Sequence, residues 1–131
     1  MKTPRATVWL VLAGMVLVVG CSDPRFYDRR TEEVTPASPI TIPIDAAKRE
    51  RVITVQAKSS GPMFDIHLFL SKDQEGAESS IFGNKSELLL DSAKKTQEAT
   101  VEATVPAGEE LMVFVIAAEN KTLSVELEMH D

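Results

Sequence analysis

From residue 40 onward, apolar side chains recur at every second position, the period of a half-buried strand. Ile40, Ile42 and Ile44 share one face, and Pro43 on the other suits an edge strand, where a missing N–H does no harm. Arg51 to Ala57 places Ile53, Val55 and Ala57 opposite Thr54 and Gln56. After the turn-forming Ser59-Ser60-Gly61-Pro62, the residues Phe64, Ile66, Leu68 and Leu70 alternate with Asp65, His67 and Phe69. The clearest alternation runs from Gln97 to Val105, with Ala99, Val101, Ala103 and Val105 on one side and Thr100, Glu102 and Thr104 on the other. Leu111 to Ala118 is apolar on both faces, as a central strand requires. Glu119-Asn120-Lys121 then turns the chain into Leu123, Val125, Leu127 and Met129, which makes the last two segments a hairpin.

Between residues 71 and 90 the pattern is weaker. Ser71 to Ser80 is polar and acidic and reads as a loop. Leu88-Leu89-Leu90 fits either a buried strand or one helical turn and is read as a strand. About seven short strands with turns at regular intervals and no convincing helical period predict an all-β fold, an antiparallel β-sandwich over residues 39–131. An open barrel is the alternative. Some ninety residues suffice for one hydrophobic core and not for two.

The first twenty residues are of another kind. Lys2 and Arg5 precede an uncharged apolar stretch of about fourteen residues, Ala6 to Val19, which small Gly20 and then Cys21 bring to an end. That is short of the roughly 20 apolar residues a membrane-spanning helix needs. The segment Leu17-Val18-Val19-Gly20-Cys21-Ser22 resembles the lipobox of bacterial lipoproteins. The resemblance implies cleavage between Gly20 and Cys21, and lipidation of Cys21 by a diacylglyceryl group, with palmitate or a similar acyl chain on the new amino terminus. An uncleaved signal anchor is the alternative. Residues 21–38, rich in charge and proline, read as a flexible linker that reaches on the order of 55 Å when fully extended. Its Arg25, Arg29 and Arg30 are diluted by Asp23, Asp28, Glu32 and Glu33, too few for a lipid-binding cluster of four to eight basic residues.

Charge and cysteine content narrow the function. The chain carries 14 basic and 20 acidic side chains; without Lys2 and Arg5, twelve face twenty, a formal charge of −8. Such a surface repels nucleic acid, which is not expected as a partner. The single cysteine excludes an internal disulfide.

Three segments of the domain resemble the pre-peptidase C-terminal family, small jelly-roll-like sandwiches appended to secreted bacterial proteins. They are Phe64-Asp65-Ile66-His67-Leu68-Phe69, Val105-Pro106-Ala107-Gly108 and Leu123-Ser124-Val125. The chain departs from that pattern where the family commonly has a tyrosine soon after the glycine; here stand Glu109, Glu110 and Leu111. The resemblance implies a non-catalytic role and supplies no catalytic residue.

Nothing in the sequence supplies the spacing of a known catalytic motif, so no catalytic residue, cofactor, metal or small-molecule substrate is expected. Asp65 and His67, two apart on one strand, are the nearest approach to a metal-ligand pair, and a hydrogen-bonded polar pair is the commoner arrangement. Asp73, Glu75 and Glu78 around Gly76 lack the spacing of a calcium loop. Asn84-Lys85-Ser86 and Asn120-Lys121-Thr122 match the glycosylation sequon and read as turns in a bacterial chain. Phe69, Met112, Phe114 and Ile116, all opposite the core face, are a candidate partner-binding patch for an envelope protein. The expectation is a lipid-anchored extracytoplasmic module of the bacterial cell envelope with a binding or structural role. A carbohydrate-binding module and a small hydrolase or metal-dependent enzyme are the alternatives. Ser22 after the cysteine resembles the sorting signal for the outer membrane.

Overall fold

The computed structural model describes residues 25–131, so the apolar leader and Cys21 lie outside the described residues. Eight strands follow in order: β1 (Tyr27–Val34), β2 (Ile40–Ile44), β3 (Arg51–Ser59), β4 (Phe64–Leu70), β5 (Asp91–Thr96), β6 (Glu98–Val105), β7 (Leu111–Ala117) and β8 (Leu123–His130). They form two four-stranded antiparallel sheets, β1-β8-β3-β6 and β2-β7-β4-β5. This is the strand order of a jelly roll, in which two Greek keys are wound together.

The core lies between the sheets and is built by the alternation visible in the sequence. One sheet contributes Ile53, Val55, Val101, Ala103, Val105, Leu123, Val125, Leu127 and Met129. The other contributes Ile42, Ile44, Phe64, Ile66, Leu68, Leu111, Val113 and Val115. Pro43 lies on β2, which pairs only with β7 and is therefore an edge strand as its proline requires.

Four expectations are corrected. The linker expected over residues 21–38 is in large part a strand, since β1 pairs with β8 along its whole length, from Tyr27 opposite His130 to Val34 opposite Leu123. Its sequence, YDRRTEEV, hides this because the inward positions Asp28, Arg30 and Glu32 are charged. Arg30 sits between the two carboxylates, 2.7 Å from Asp28 and 3.4 Å from Glu32, and only Val34 joins the core. Charges turned inward on an edge strand also discourage pairing with another chain. The first strand of the sandwich thus lies at Tyr27–Val34, ahead of the expected boundary at 39.

The loop expected at 71–80 is instead a 3-10 turn, Ser71–Asp73, leading into helix α1, Gln74–Phe82. Nine residues are too few for a stable isolated helix, so packing must hold it. Ala77 is buried, and with Ile81 and Leu89 it packs on Phe69, Met112 and Phe114 on the outer face of the second sheet. Leu88–Leu90 is not a strand: Leu88 has a left-handed φ of 68°, and the strand begins at Asp91. The molecule therefore has three layers, two sheets and a helical cover.

That cover removes the candidate partner patch from the surface. Phe69 is 0% and Phe114 3% exposed, Met112 is buried and Ile116 half-buried. The cause is the doubly apolar character of β7, whose Met112, Phe114 and Ile116, with Phe69 of β4, demand a second buried face. Phe69→Ala should therefore destabilise the fold by about 3–5 kcal/mol, in the range for buried aromatic truncations, and lower the urea midpoint accordingly. A midpoint within error of wild type would show that the helical layer does not seal this face.

Candidate functional site

Asp65 and His67 project from the same face of β4, as their spacing predicts, but neither is available as a ligand pair. The Asp65 carboxylate accepts a 2.7 Å hydrogen bond from the Lys95 backbone N–H. His67 is 1% exposed, and its Nδ1 lies 2.8 Å from the Ser92 hydroxyl of β5. Burial lowers the His67 pKa below its ordinary value; the nearby Asp65 carboxylate opposes the shift and Lys94 adds to it. Among the described residues, no group of three His, Cys, Asp or Glu side chains is placed to hold a metal ion. Of the expected acidic loop, Asp73 ends the 3-10 turn, while Glu75 and Glu78 lie on α1, where Glu78 accepts a 3.0 Å hydrogen bond from Gln74. Asn84, in one sequon, adopts a left-handed φ of 58° just after α1, and Asn120 lies in the bend between β7 and β8.

The two seams of the sandwich differ. Where β5 meets β6, the Asp91 carboxylate bridges the edges, accepting from the backbone N–H of Glu102 at 2.9 Å and from that of Ser92 at 2.8 Å. Where β1 meets β2, the inward charges of β1 leave a groove of about 470 Å³. Its walls are Arg25, Phe26, Asp28 and Arg30 from the β1 side and Pro43 and Ile44 from β2. The β2–β3 loop, residues 45–48, and Arg51 close its end. A volume in this range can receive a small ligand or part of a larger one.

Local structure fixes this groove firmly. Phe26 and Asp131 form a reciprocal clip in which the Phe26 N–H donates to the Asp131 carboxylate at 3.0 Å and the Asp131 N–H donates to the Phe26 carbonyl at 3.2 Å. The Arg51 guanidinium donates to the Asp45 carbonyl and stands 5.9 Å from the centre of the Phe26 ring, within cation–π range. Its buried Nε has no hydrogen-bond partner among the described residues. Pro106-Ala107-Gly108 supports the loop from behind: Gly108, at φ 82°, donates its N–H to the Ala47 carbonyl at 2.8 Å. A positive φ there favours glycine over any residue with a side chain.

Four cationic side chains, Arg25, Arg30, Lys48 and Arg51, and two carboxylates, Asp28 and Asp45, line the groove. The local balance is positive in a chain whose formal charge is −6. Apolar Phe26, Pro43, Ile44, Ala46 and Ala47 accompany them, so the surface is amphipathic. Periodicity could not have found this site, because its cations come from three separate segments that only the β1–β8 pairing unites. A smaller depression of about 230 Å³ on the outer face of the first sheet includes Arg29 and Glu126, which are already paired at 2.7 Å.

No family model matches the chain, and no curated protein matches it significantly. The reading of the site therefore rests on its own geometry. Asp65 and His67 on β4 are engaged with Lys95 and Ser92 of β5, whereas the groove beside β1 is open and carries several charged side chains.

The buried imidazole gives a pH dependence. The folded chain favours neutral His67, whereas the unfolded chain takes up a proton near the ordinary pKa of about 6.5. Below that pH the unfolded state binds more protons, so the His67 contribution to stability, present above about 6.5, is lost as the pH falls through the lowered folded value. Urea midpoints measured at pH 7, 6 and 5 should decline, and His67→Gln should flatten the part of the decline nearest pH 6. Equal slopes in the two proteins would show that His67 is accessible to protons in the fold.

Proposed function

We propose that this chain is a lipid-anchored, extracytoplasmic β-sandwich module of the bacterial cell envelope, non-catalytic, with a binding or envelope-structural role. The observation that carries this reading is the sequence Leu17-Val18-Val19-Gly20-Cys21, whose cysteine stands six residues before Tyr27, where the first strand of the sandwich begins. A leader of that pattern followed at once by a folded domain is the arrangement a tethered module requires. The acyl chains of a modified cysteine hold such a domain stably, since each buried methylene contributes about 0.8 kcal/mol and two or three chains act together.

The burial and hydrogen bonding of His67 support a non-catalytic role. A histidine that is 1% exposed and engaged with Ser92 cannot exchange protons with a substrate in solution without local opening. The resemblance of Phe64–Phe69, Val105–Gly108 and Leu123–Val125 to pre-peptidase C-terminal domains points the same way. Ser22 favours the outer membrane in a Gram-negative cell.

Intact mass and detergent partitioning of the wild type and Cys21→Ala, expressed in a bacterial host, test the proposal. The wild type should begin at Cys21, carry a diacyl or triacyl adduct and enter the detergent phase, and the variant should lose the adduct. An unmodified wild-type chain that retains Met1 to Gly20 would overturn the anchor.

A further inference from the structure

We propose that residues 71–90, the helix α1 and the segment that returns from it to β5, form a proton-operated cover: protonation of His67 favours lifting of this segment from the second sheet while the sandwich beneath it stays folded. The inference goes beyond the anchor proposed above and does not depend on lipidation of Cys21.

Position is the first argument. His67 lies on the outer face of β4, directly opposite Phe114 of β7 and Ser92 of β5, with Phe69 two residues along its own strand. A side chain on the outer face of a sheet is hidden only where another layer lies on it, and His67 is 1% exposed. On this face that layer is the cover, whose Ala77, Ile81 and Leu89 pack with Phe69 and Phe114. Closure therefore favours the neutral ring, because an imidazolium shut off from water is costly. The charged groups around it do not reverse this. Asp65 on β4 favours the cation, but its carboxylate already accepts from the Lys95 backbone N–H, and Lys94 on β5 disfavours the cation. Asp91 of β5 is turned to the Glu102 and Ser92 N–H groups, and the outer face of β7 offers only Met112, Phe114 and Ile116. On the cover itself Lys72, Glu75, Lys85 and Glu87 are exposed, while half-buried Asp73 ends the 3-10 turn and Glu78 is held by Gln74.

Attachment is the second argument. Main-chain hydrogen bonds tie the segment at its two ends, where the Ser71 N–H donates to the Glu110 carbonyl at 2.8 Å and the Leu90 N–H to the Leu68 carbonyl at 2.7 Å. Between these ties, its polar contacts with the rest of the fold among the described residues are two exposed pairs, Lys94 Nζ with Asn84 at 3.0 Å and Lys72 with Glu109 at 3.4 Å. Its other hydrogen bonds are internal, so apolar packing does most of the holding. The helix has nine residues and no side-chain cap at its N-terminus, and Asn84 and Leu88 follow it at left-handed φ, so it has little stability of its own. The cluster under the cover shares no residue with the core between the sheets, which lets one open without the other. Lifting brings His67 to water, where its pKa returns to about 6.5. The closed state is then favoured above that pH and loses ground as the pH falls toward the lowered closed-state value, so opening increases by at most about 25-fold between pH 7 and pH 5.

Amide hydrogen exchange of the full-length protein at pH 7, 6 and 5, with each rate divided by its intrinsic rate at that pH, tests the cover. At pH 7 the amides of residues 78–85 should be protected at least tenfold less than those of β3 and β8, and their protection should fall several-fold by pH 5. His67→Gln, whose side chain stays neutral, should remove that fall. Cover amides as strongly protected as β3 and β8 would show that the segment opens only with the whole domain, which overturns the cover. Protection that does not change with pH, or a fall that persists in folded His67→Gln, overturns the proton trigger. Should His67→Gln give no cooperative melt, the ring-proton titration of His67 in the wild type decides, with the signal of His130, the only other histidine, identified by His130→Gln. A midpoint below about 6.5 is expected, and one at or above that value overturns the trigger.

Discussion

The antiparallel ladder between β1 and β8 is the contact on which the rest of the molecule depends. It joins residues about a hundred positions apart, Tyr27 to His130 and Val34 to Leu123, and so brings the start of the described chain to its end. Without it β8 would be an exposed edge, and the first sheet would lose its fourth strand. The ladder is held by main-chain bonds and by outward cross-strand pairs, Arg29 with Glu126 at 2.7 Å and the Tyr27 hydroxyl with Glu128 at 2.8 Å, more than by apolar burial. Exposed pairs of this kind contribute little each, so register is fixed by Val34 at one end and the Phe26–Asp131 clip at the other.

The second constraint is the apolar character of both faces of β7, extended by Phe69 of β4. One face fills the space between the sheets, and the other must be hidden as well, which recruits α1 as a third layer. Phe69 and Phe114 lie with ring centres 6.1 Å apart beneath it, and Phe82 at its end meets Phe114 edge-on at 6.2 Å while remaining 68% exposed. The helix has little amphipathic pattern of its own. Gly76 lets it approach the following loop closely, since a side chain there would come within 2.6 Å of Leu88.

These two constraints explain which parts of the fold were legible in the sequence. The strands β2, β3, β4, β6, β7 and β8 all have one face in the main core, and burial on one side forces the period of two that the sequence displays. β1 and β5 are edge strands whose inward positions are largely charged or small, so nothing apolar marks them. α1 was hidden for a different reason: its buried contacts are Ala77 and Ser80, residue types equally at home in a loop. The doubly apolar strand was read correctly as a pattern, but the sequence could not say whether its second face met solvent or the chain's own helix. The groove was illegible altogether, because it depends on the strand that the charges concealed.

The same concealed strand changes how the acidic composition bears on function. A uniformly acidic domain on a long tether would be kept off an anionic surface in every orientation, and its net charge would suffice to describe it. Here the inward charges of β1 do two things at once: they protect a sheet edge, and they hold open a seam where Arg25, Lys48 and Arg51 gather. That seam lies at the end of the sandwich where β1 begins and β8 ends. The bends at Ser59–Met63 and Ala118–Thr122 stand at the other end, along strands roughly 25 Å long, so the charged seam and these bends are separated by the full length of the sheets.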